Sequence, residues 1–315
     1  MLKLPSMVDL NKVKRYSIKK RFSRVSKSDF ALKPAKGKSF SSFLASLPAI
    51  LKAKDLRAII SEIVLARRRK KGVILMAGAH VIKCGLNPVL IELLEKKVIT
   101  CVCLNGAGVI HDFEIACQGK TSEDVAENLK EGKFGMGRET ADFINLAVKE
   151  GVDMGFGYGY AVANKIASSH LAYKDLSLVY NAYKRKVPVC VFVGVGTDII
   201  HQHPSFDAAA AGAGSLRDFH ILADNIRSLN RGGVVLNFGS AVILPEVFLK
   251  ALNLARNIYG GIKDFTAVVF DMIYQYRAAQ NVAARPVLGG GKGYYVIGHH
   301  EIMLPLLAQG IIEKI

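Results

Sequence analysis

The chain has 315 residues, half of them hydrophobic and 22% charged, and a formal net charge of +17. This composition is typical of a globular protein with a sizeable buried core, and it excludes collagen-like, mucin-like and low-complexity proteins. No apolar run reaches about 18 residues and the 5 cysteines are an odd number, so we expect a cytoplasmic protein without a membrane partner.

Residues 1–40 hold much of the positive charge, since they contain twelve Lys or Arg but only Asp9 and Asp29 as acids. A basic segment with little apolar content is typical of a solvated arm, and we predict such an arm over residues 1–50. Its phenylalanines are too sparse for a base-stacking platform, so we do not expect a nucleic-acid partner. Binding of a polyanion by the arm is the second interpretation.

The rest of the chain has the pattern of a parallel sheet with crossover helices. Apolar residues at helical spacing predict a helix over 54–70, and short apolar runs then alternate with longer amphipathic segments. The predicted strands cover residues 73–77, 98–104, 187–193, 233–238, 267–270 and 294–297. The predicted connecting helices cover residues 87–96, 123–131, 139–150, 158–170, 173–186, 216–229, 245–257 and 300–313. We therefore predict one doubly wound, Rossmann-like α/β domain over residues 51–315, with a mostly parallel sheet and helices on both faces.

Glycines and polar residues follow three of the predicted strands, in the sequences NGAG at 105–108, GVGTD at 194–198 and NFGS at 237–240. In an open α/β sheet, ligands bind beyond the carboxyl ends of the strands. Glycines there allow close approach to a pyrophosphate, and Asp198 can accept hydrogen bonds from ribose hydroxyls. None of the three sequences is a complete dinucleotide fingerprint, and each glycine can equally serve to turn the chain. Their repetition favours a ligand site.

Two longer segments resemble the deoxyhypusine synthase family: AHVIKCGLNPVLIELLEKKVITCVCLNGAGVIHDFEIA and PVCVFVGVGTD. The first is similar to the beginning of that family's NAD site, where a SNLISSG-type turn, a helix and a strand precede a TTAGG-type glycine turn. The sequences ARP at 284–286 and LPLL at 304–307 match later landmarks, so the resemblance covers roughly residues 70–310 in consistent order. It implies the fold of that family and NAD as a cofactor.

The resemblance also implies which residues hold NAD. These residues come from the turn after the first strand, the glycine turn, the Thr-Asp pair and the later NFG sequence. They are Ala79, His80, Lys83, Asn105, Gly106, Ala107, Gly108, Thr197, Asp198 and Gly239.

The family oxidises spermidine with NAD, forms an imine on a lysine and passes the aminobutyl group to a lysine of a translation factor. Lys292, in the sequence GGGKG, is the nearest match to that lysine once two residues are deleted from the alignment. A neutral lysine amine suits attack on an imine carbon. The resemblance therefore implies a transferase of alkyl or aryl groups other than methyl, with a small amine substrate, a lysine-bearing protein acceptor and a homotetrameric assembly.

Several positions depart from the family pattern. Ile243 stands at the base histidine, Val247 at a nearby asparagine and His203 at the amine-binding aspartate, and the chain has no tryptophan. Carboxylates and aromatic faces are what hold a polyamine. True deoxyhypusine synthesis is therefore not expected.

Histidines are frequent near the predicted strand ends instead, at positions 80, 111, 201, 203, 299 and 300. Histidine transfers protons near neutral pH, and we predict His203 and His299 as catalytic residues together with Lys292. The sequences HQH at 201–203 and HHE at 299–301 also suit a histidine-based hydrolase or a metal-dependent enzyme on the same scaffold. A third interpretation is a non-catalytic binding member of the family.

Overall fold

The computed structural model describes residues 5–315 and contains one sheet of six strands, in which all neighbouring strands are parallel. The strands are β1 (Val73–Ala77), β2 (Cys101–Asn105), β3 (Val189–Phe192), β4 (Val234–Phe238), β5 (Phe265–Asp271) and β6 (Gly291–Ile297). Their order across the sheet is β3-β2-β1-β4-β5-β6. This is the order of doubly wound dinucleotide-binding sheets, and the winding reverses between β1 and β4. The predicted fold class is confirmed.

Helices cover both faces of the sheet. They are α1 (Phe40–Ser46), α2 (Leu51–Arg68), α3 (Ala79–Lys83), α4 (Asn87–Glu95), α5 (Gly106–Gln118), α6 (Val125–Lys130), α7 (Arg138–Asp153), α8 (Tyr158–Ser168), α9 (Leu178–Lys184), α10 (Ala208–Asn225), α11 (Ile243–Tyr259), α12 (Tyr276–Ala278) and α13 (His300–Ile312). A π-helical segment, Ala279–Ala284, continues α12. The core of one face includes side chains of α2, α4, α5 and α13, and that of the other includes side chains of α10, α11 and the π-helical segment.

Burial on both faces explains why the central strands are continuous apolar runs. All five residues of β1 are buried, and successive side chains such as Ile74 and Leu75 enter the cores of opposite faces. Each such side chain contributes roughly 1.5–3 kcal/mol on burial. The edge strand β6 is different, because its first residues, Gly291 to Gly293, are exposed.

Most element boundaries differ by a few residues from the prediction, and two of the differences bear on the site or have a clear cause. α10 begins at Ala208 and not at 216, because Asp207 caps it by accepting a hydrogen bond from Ala210 N and the alanine run favours a helix. β6 begins at Gly291 and not at 294, so that Lys292 lies inside the strand near its amino end.

The described part of the basic arm is almost entirely exposed over residues 5–39. The following helix, α1, buries Leu44 in the core and contacts α13. No helix within residues 5–315 combines the length and apolar character that a membrane span needs.

Candidate functional site

The carboxyl ends of all six strands lie at one edge of the sheet, and two glycines, Gly78 and Gly239, directly follow the ends of β1 and β4. Gly78 N donates to Phe238 O over 2.8 Å, and a Cβ on Gly78 would lie 2.3 Å from Gly239 O. Gly239 has φ 65°, and a Cβ there would lie 2.4 Å from His300 Nε2. Glycine is therefore required at both positions, because the backbones that follow β1 and β4 and the ring of His300 pack directly against one another where the winding reverses.

Asp198 reaches from the loop after β3 to the amino end of α5. The amide of Ala107 faces its carboxylate and opposes the rise of its pKa, and a Cβ on Gly106 would lie 2.0 Å from its Oδ2. Asn105 caps the same helix by accepting a hydrogen bond from Gly108 N over 3.1 Å. The amide of Gly108, which the sequence assigns to a pyrophosphate, is therefore already paired within the chain, and the amide of Ala107 faces Asp198. The glycine at 106 makes room for a carboxylate.

Asp198 also faces His201. His201 Nε2 lies 3.8 Å from Asp198 Oδ2, both side chains are at most 5% exposed, and neither atom has a hydrogen-bond partner. His201 Nδ1 accepts hydrogen bonds from Gly196 N and Asp198 N, so the neutral ring carries its proton on Nε2. Burial raises the pKa of Asp198 to about 6 and lowers the pKa of His201. A proton donor and a carboxylate thus face each other without a direct bond.

A second group of polar side chains lies where β1 and β6 end. The rings of His80 and His300 are 6.0 Å apart, His80 Nε2 lies 3.4 Å from Cys84 Sγ, and Cys84 Sγ lies 3.9 Å from Glu301 Oε2. His300 is buried, its Nδ1 has no partner, and burial lowers its pKa, so the ring is neutral at pH 7. Its neighbour His299 is 65% exposed and lies 3.7 Å from Glu301. The sequence predicted His299 as a catalytic residue. The structure instead places the ring of the neighbouring His300 against Gly239.

Lys292 does not lie at the carboxyl edge of the sheet with the histidines and Asp198. It lies beside Thr266 in the register of β6 with β5, and it forms an ion pair with Glu62 of α2. From Lys292 to the carboxyl end of β6 the strand runs about 16 Å, at roughly 3.3 Å per residue. Glu62 raises the pKa of Lys292, which favours the protonated form and opposes imine chemistry. We therefore no longer assign Lys292 as the catalytic lysine.

The remaining predicted residues are spread around the edge. His203 Nε2 lies 2.8 Å from Gly135 O, so its ring is engaged with the backbone before α7. Thr197 is exposed and donates to Gly194 O over 2.7 Å. Ala79 and Lys83 lie on α3, directly after β1, and the side chain of Lys83 is exposed. Of this set, none forms a hydrogen bond with the unpartnered atoms of Asp198 or His300.

The histidines do not assemble a metal site. Within residues 5–315, only one group of three metal-ligating side chains has its ligand atoms within 4.8 Å of one another, namely Cys101, Cys103 and Cys190. These thiols are buried inside the sheet on β2 and β3.

No family model and no curated protein matches the chain. Solved structures do match it, among them a protein described as LOR/SDH from Methanococcus maripaludis S2, with a TM-score of 0.53, 16% identity, and coverage of 93% of this chain and 75% of that one. A protein described as a deoxyhypusine synthase from Entamoeba histolytica has a TM-score of 0.53 and 10% identity, over 88% of this chain and 94% of that one. This chain has the same fold.

AgrE, solved as a ternary complex with ornithine and NAD+, has a TM-score of 0.52 and 15% identity, over 82% of this chain and 32% of that one. The chain thus spans about a third of the length of AgrE. At these identities the likeness shows the fold, and the resemblance to deoxyhypusine synthase holds at that level.

Proposed function

We propose that this chain is an enzyme that binds NAD at the carboxyl edge of its sheet and oxidises an amine substrate. The observation that carries this is the reversal of winding between β1 and β4, at the sheet edge where the polar side chains of Asp198 and His300 hold atoms without hydrogen-bond partners. Dinucleotides bind at this edge of doubly wound sheets. The NAD+ in the AgrE complex, a protein of the same fold, supports the assignment.

Asp198 suits the ribose of the cofactor. Its Oδ2 is buried and has no hydrogen-bond partner, and it lies beside Gly106 at the end of β2. In doubly wound dinucleotide-binding sheets a carboxylate at the end of the second strand binds a ribose hydroxyl. Here the chain has the neutral Asn105 at that point, and the loop after β3 supplies the carboxylate.

His300 suits the proton transfer that amine oxidation needs. An amine must be neutral before its neighbouring carbon gives up a hydride, and NAD accepts that hydride when it is bound. The neutral ring of His300 packs against Gly239 and its Nδ1 has no hydrogen-bond partner, and we propose that this ring takes the amine proton. His80 and Glu301 flank it, and the carboxylate of Glu301 favours a cationic substrate at the exposed side.

Alkyl transfer of the deoxyhypusine synthase type needs a lysine at the site, and Lys292 lies at the other edge of the sheet. We therefore propose amine oxidation without transfer through Lys292.

Formation of NADH from NAD tests this function, with ornithine and a panel of diamines and polyamines as substrates. We expect turnover of at least one amine, a loss of about a hundredfold in kcat for His300→Gln, and unchanged kcat for the control Lys292→Met. Equal loss in both variants would count against the site, and turnover by His300→Gln at the wild-type rate would remove this histidine from the chemistry.

A further inference from the structure

A basic cavity lies at the amino edge of the sheet, opposite the candidate site. Its volume is about 550 Å³, and the cations that line it are Arg67, Lys70, Lys71 and Lys97. Asn225 and Ser228 add neutral polar groups to the wall, and neither a carboxylate nor an aromatic or aliphatic side chain lines it. The wall is therefore suited to an anion that accepts several hydrogen bonds.

The four cations of this cavity have no ion-pair partner among residues 5–315. Neighbouring cations at the same edge do have partners, since Lys96 pairs with Glu92 and Arg185 pairs with Glu95. Like charges around one cavity repel, and an anion between them relieves that repulsion. Lys96 and Arg185 are thus neutralised, whereas the four cations of the cavity have no carboxylate, and of these Arg67 donates to Lys96 O over 2.8 Å.

The residues that lead into four of the strands have an unusual backbone conformation. Lys70 and Lys97 have φ 54° and 55°, and the residues that lead into β3 and β4, Lys186 and Arg231, have φ 57° and 59°. An L-residue in this left-handed region costs about 1–2 kcal/mol, and glycine does not. The helix dipole favours a cation near the carboxyl end of a helix. It does not explain why a lysine, and not a glycine, takes a left-handed position there. Each of these four strands is thus preceded by a cation in the left-handed region, whereas Asp264, with φ 55°, takes the same position before β5.

Sheet order places these four cations side by side. The strands they precede are neighbours in the order β3-β2-β1-β4, about 4.8 Å apart, so the cations form a row about 15 Å long centred on the cavity. A single phosphate needs no such row, whereas a chain of phosphates does. The absence of aromatic side chains from the cavity wall means that contacts go to phosphates and not to bases.

Against the expectation drawn from the basic arm, we propose that the basic cavity and the row of cations bind the sugar–phosphate backbone of a nucleic acid, without sequence preference. This site is independent of the proposed NAD site, because the two lie at opposite edges of the sheet. Counterion release makes such binding strongly dependent on salt.

Fluorescence anisotropy with labelled DNA of about 20 nucleotides, single-stranded and duplex, tests the proposal in the full chain over a series of salt concentrations. We expect Lys70→Gly/Lys97→Gly to bind at least tenfold more weakly and to reduce the slope of log affinity against log salt by about 2. These glycines relieve the left-handed conformation, so the double variant should keep or raise the melting temperature.

The control is the double variant Lys120→Ala/Lys149→Ala. It removes the same number of exposed lysines outside the basic cavity, and it leaves the charge of the basic arm unchanged. We expect less than a threefold change in affinity for this control. Equal losses in the two double variants would overturn the proposal, as would binding of pyrophosphate or phosphatidylserine vesicles without binding of the oligonucleotide.

Discussion

Asp198 makes the proposed cofactor site sensitive to pH. Burial raises its pKa to about 6, and its nearest titratable neighbours are His201 and His111. The ionised carboxylate accepts ribose hydroxyls and the protonated one loses part of that capacity, so NAD affinity should fall as pH drops from 8 to 5. Asp198→Asn should bind about tenfold more weakly at pH 8 and show a flatter pH profile. Calorimetric titration at several pH values measures both; a profile in the variant like that of the wild type would contradict this role.

Asp218 links pH to stability. It is fully buried on α10 and accepts hydrogen bonds from Gly159 N and Val191 N, and burial raises its pKa to about 7. Because the native state binds this proton more tightly than the unfolded chain, the stabilisation is complete below the unfolded pKa near 4 and is lost as pH rises through about 7.

We therefore expect Asp218 to lower the free energy of unfolding by about 2 kcal/mol between pH 5 and pH 8. Asp218→Asn should reduce that decrease, whereas Asp224→Asn, an exposed acid on the same helix, should keep it. Urea unfolding at the two pH values measures the difference. A decrease in Asp218→Asn as large as in the wild type would assign the pH dependence to other groups.

Individual site residues were only partly predictable from the sequence. Asp198 and Gly239 follow strands in the sequence, and the carboxyl ends of parallel strands share an edge, so their location was predictable. The sequence did not predict which of His299 and His300 lies at the site. That depends on which of the two rings packs against Gly239 at the start of α13. The approach of Asp198 to Gly106 depends on contacts between distant segments, which no local pattern reports.

At the scale of elements, β6 shows how strand direction places a side chain. Lys292 precedes the predicted strand 294–297, and in a parallel sheet a residue before a strand lies at the amino edge. The family resemblance favoured the glycine-rich loop around this lysine, but strand direction already opposed a place beside the other predicted residues. The structure agrees with strand direction, since Lys292 lies beside Thr266.

The start of α5 provides a prediction at the same scale. A methyl on Gly106 would meet Asp198 Oδ2 at 2.0 Å, so Gly106→Ala should destabilise the fold by about 1–3 kcal/mol and weaken NAD binding. Gly212→Ala on α10 is the matched control, because its Cβ meets nothing within 4 Å and alanine favours the helix by about 1 kcal/mol. Urea unfolding and NAD titration of both variants measure this. An unchanged Gly106→Ala protein would mean that Asp198 does not need to approach α5.

At the scale of the whole molecule, the sequence predicted the class of fold but not the order of its strands. Apolar runs identify β1 to β5 because both of their faces are buried. Strand order depends on which faces the crossover helices cover, and that is a non-local property. The row of cations leading into β3, β2, β1 and β4 is invisible in the sequence for the same reason, since its members lie as far apart as Lys70 and Arg231.

Exposed apolar side chains surround the carboxyl edge, namely Val195, Val242, Ile273, Tyr274, Ile297 and Ile302. Apolar surface of this kind is typical of an interface, and we expect the homo-oligomer that the deoxyhypusine synthase resemblance implies. Light scattering after gel filtration should give a mass above that of one chain, and Ile273→Asp/Ile302→Asp should lower it. A wild-type protein with the mass of a single chain would contradict this assembly.

Calorimetric titration of the wild-type protein with NAD at pH 8 tests the central claim most directly, with Asp198→Asn and Lys292→Met measured beside it. We expect saturable binding of one NAD per chain in the wild type and in Lys292→Met, and clearly weaker binding in Asp198→Asn. Absence of binding at millimolar NAD, or binding that is lost in Lys292→Met and kept in Asp198→Asn, would contradict a cofactor site at the carboxyl edge.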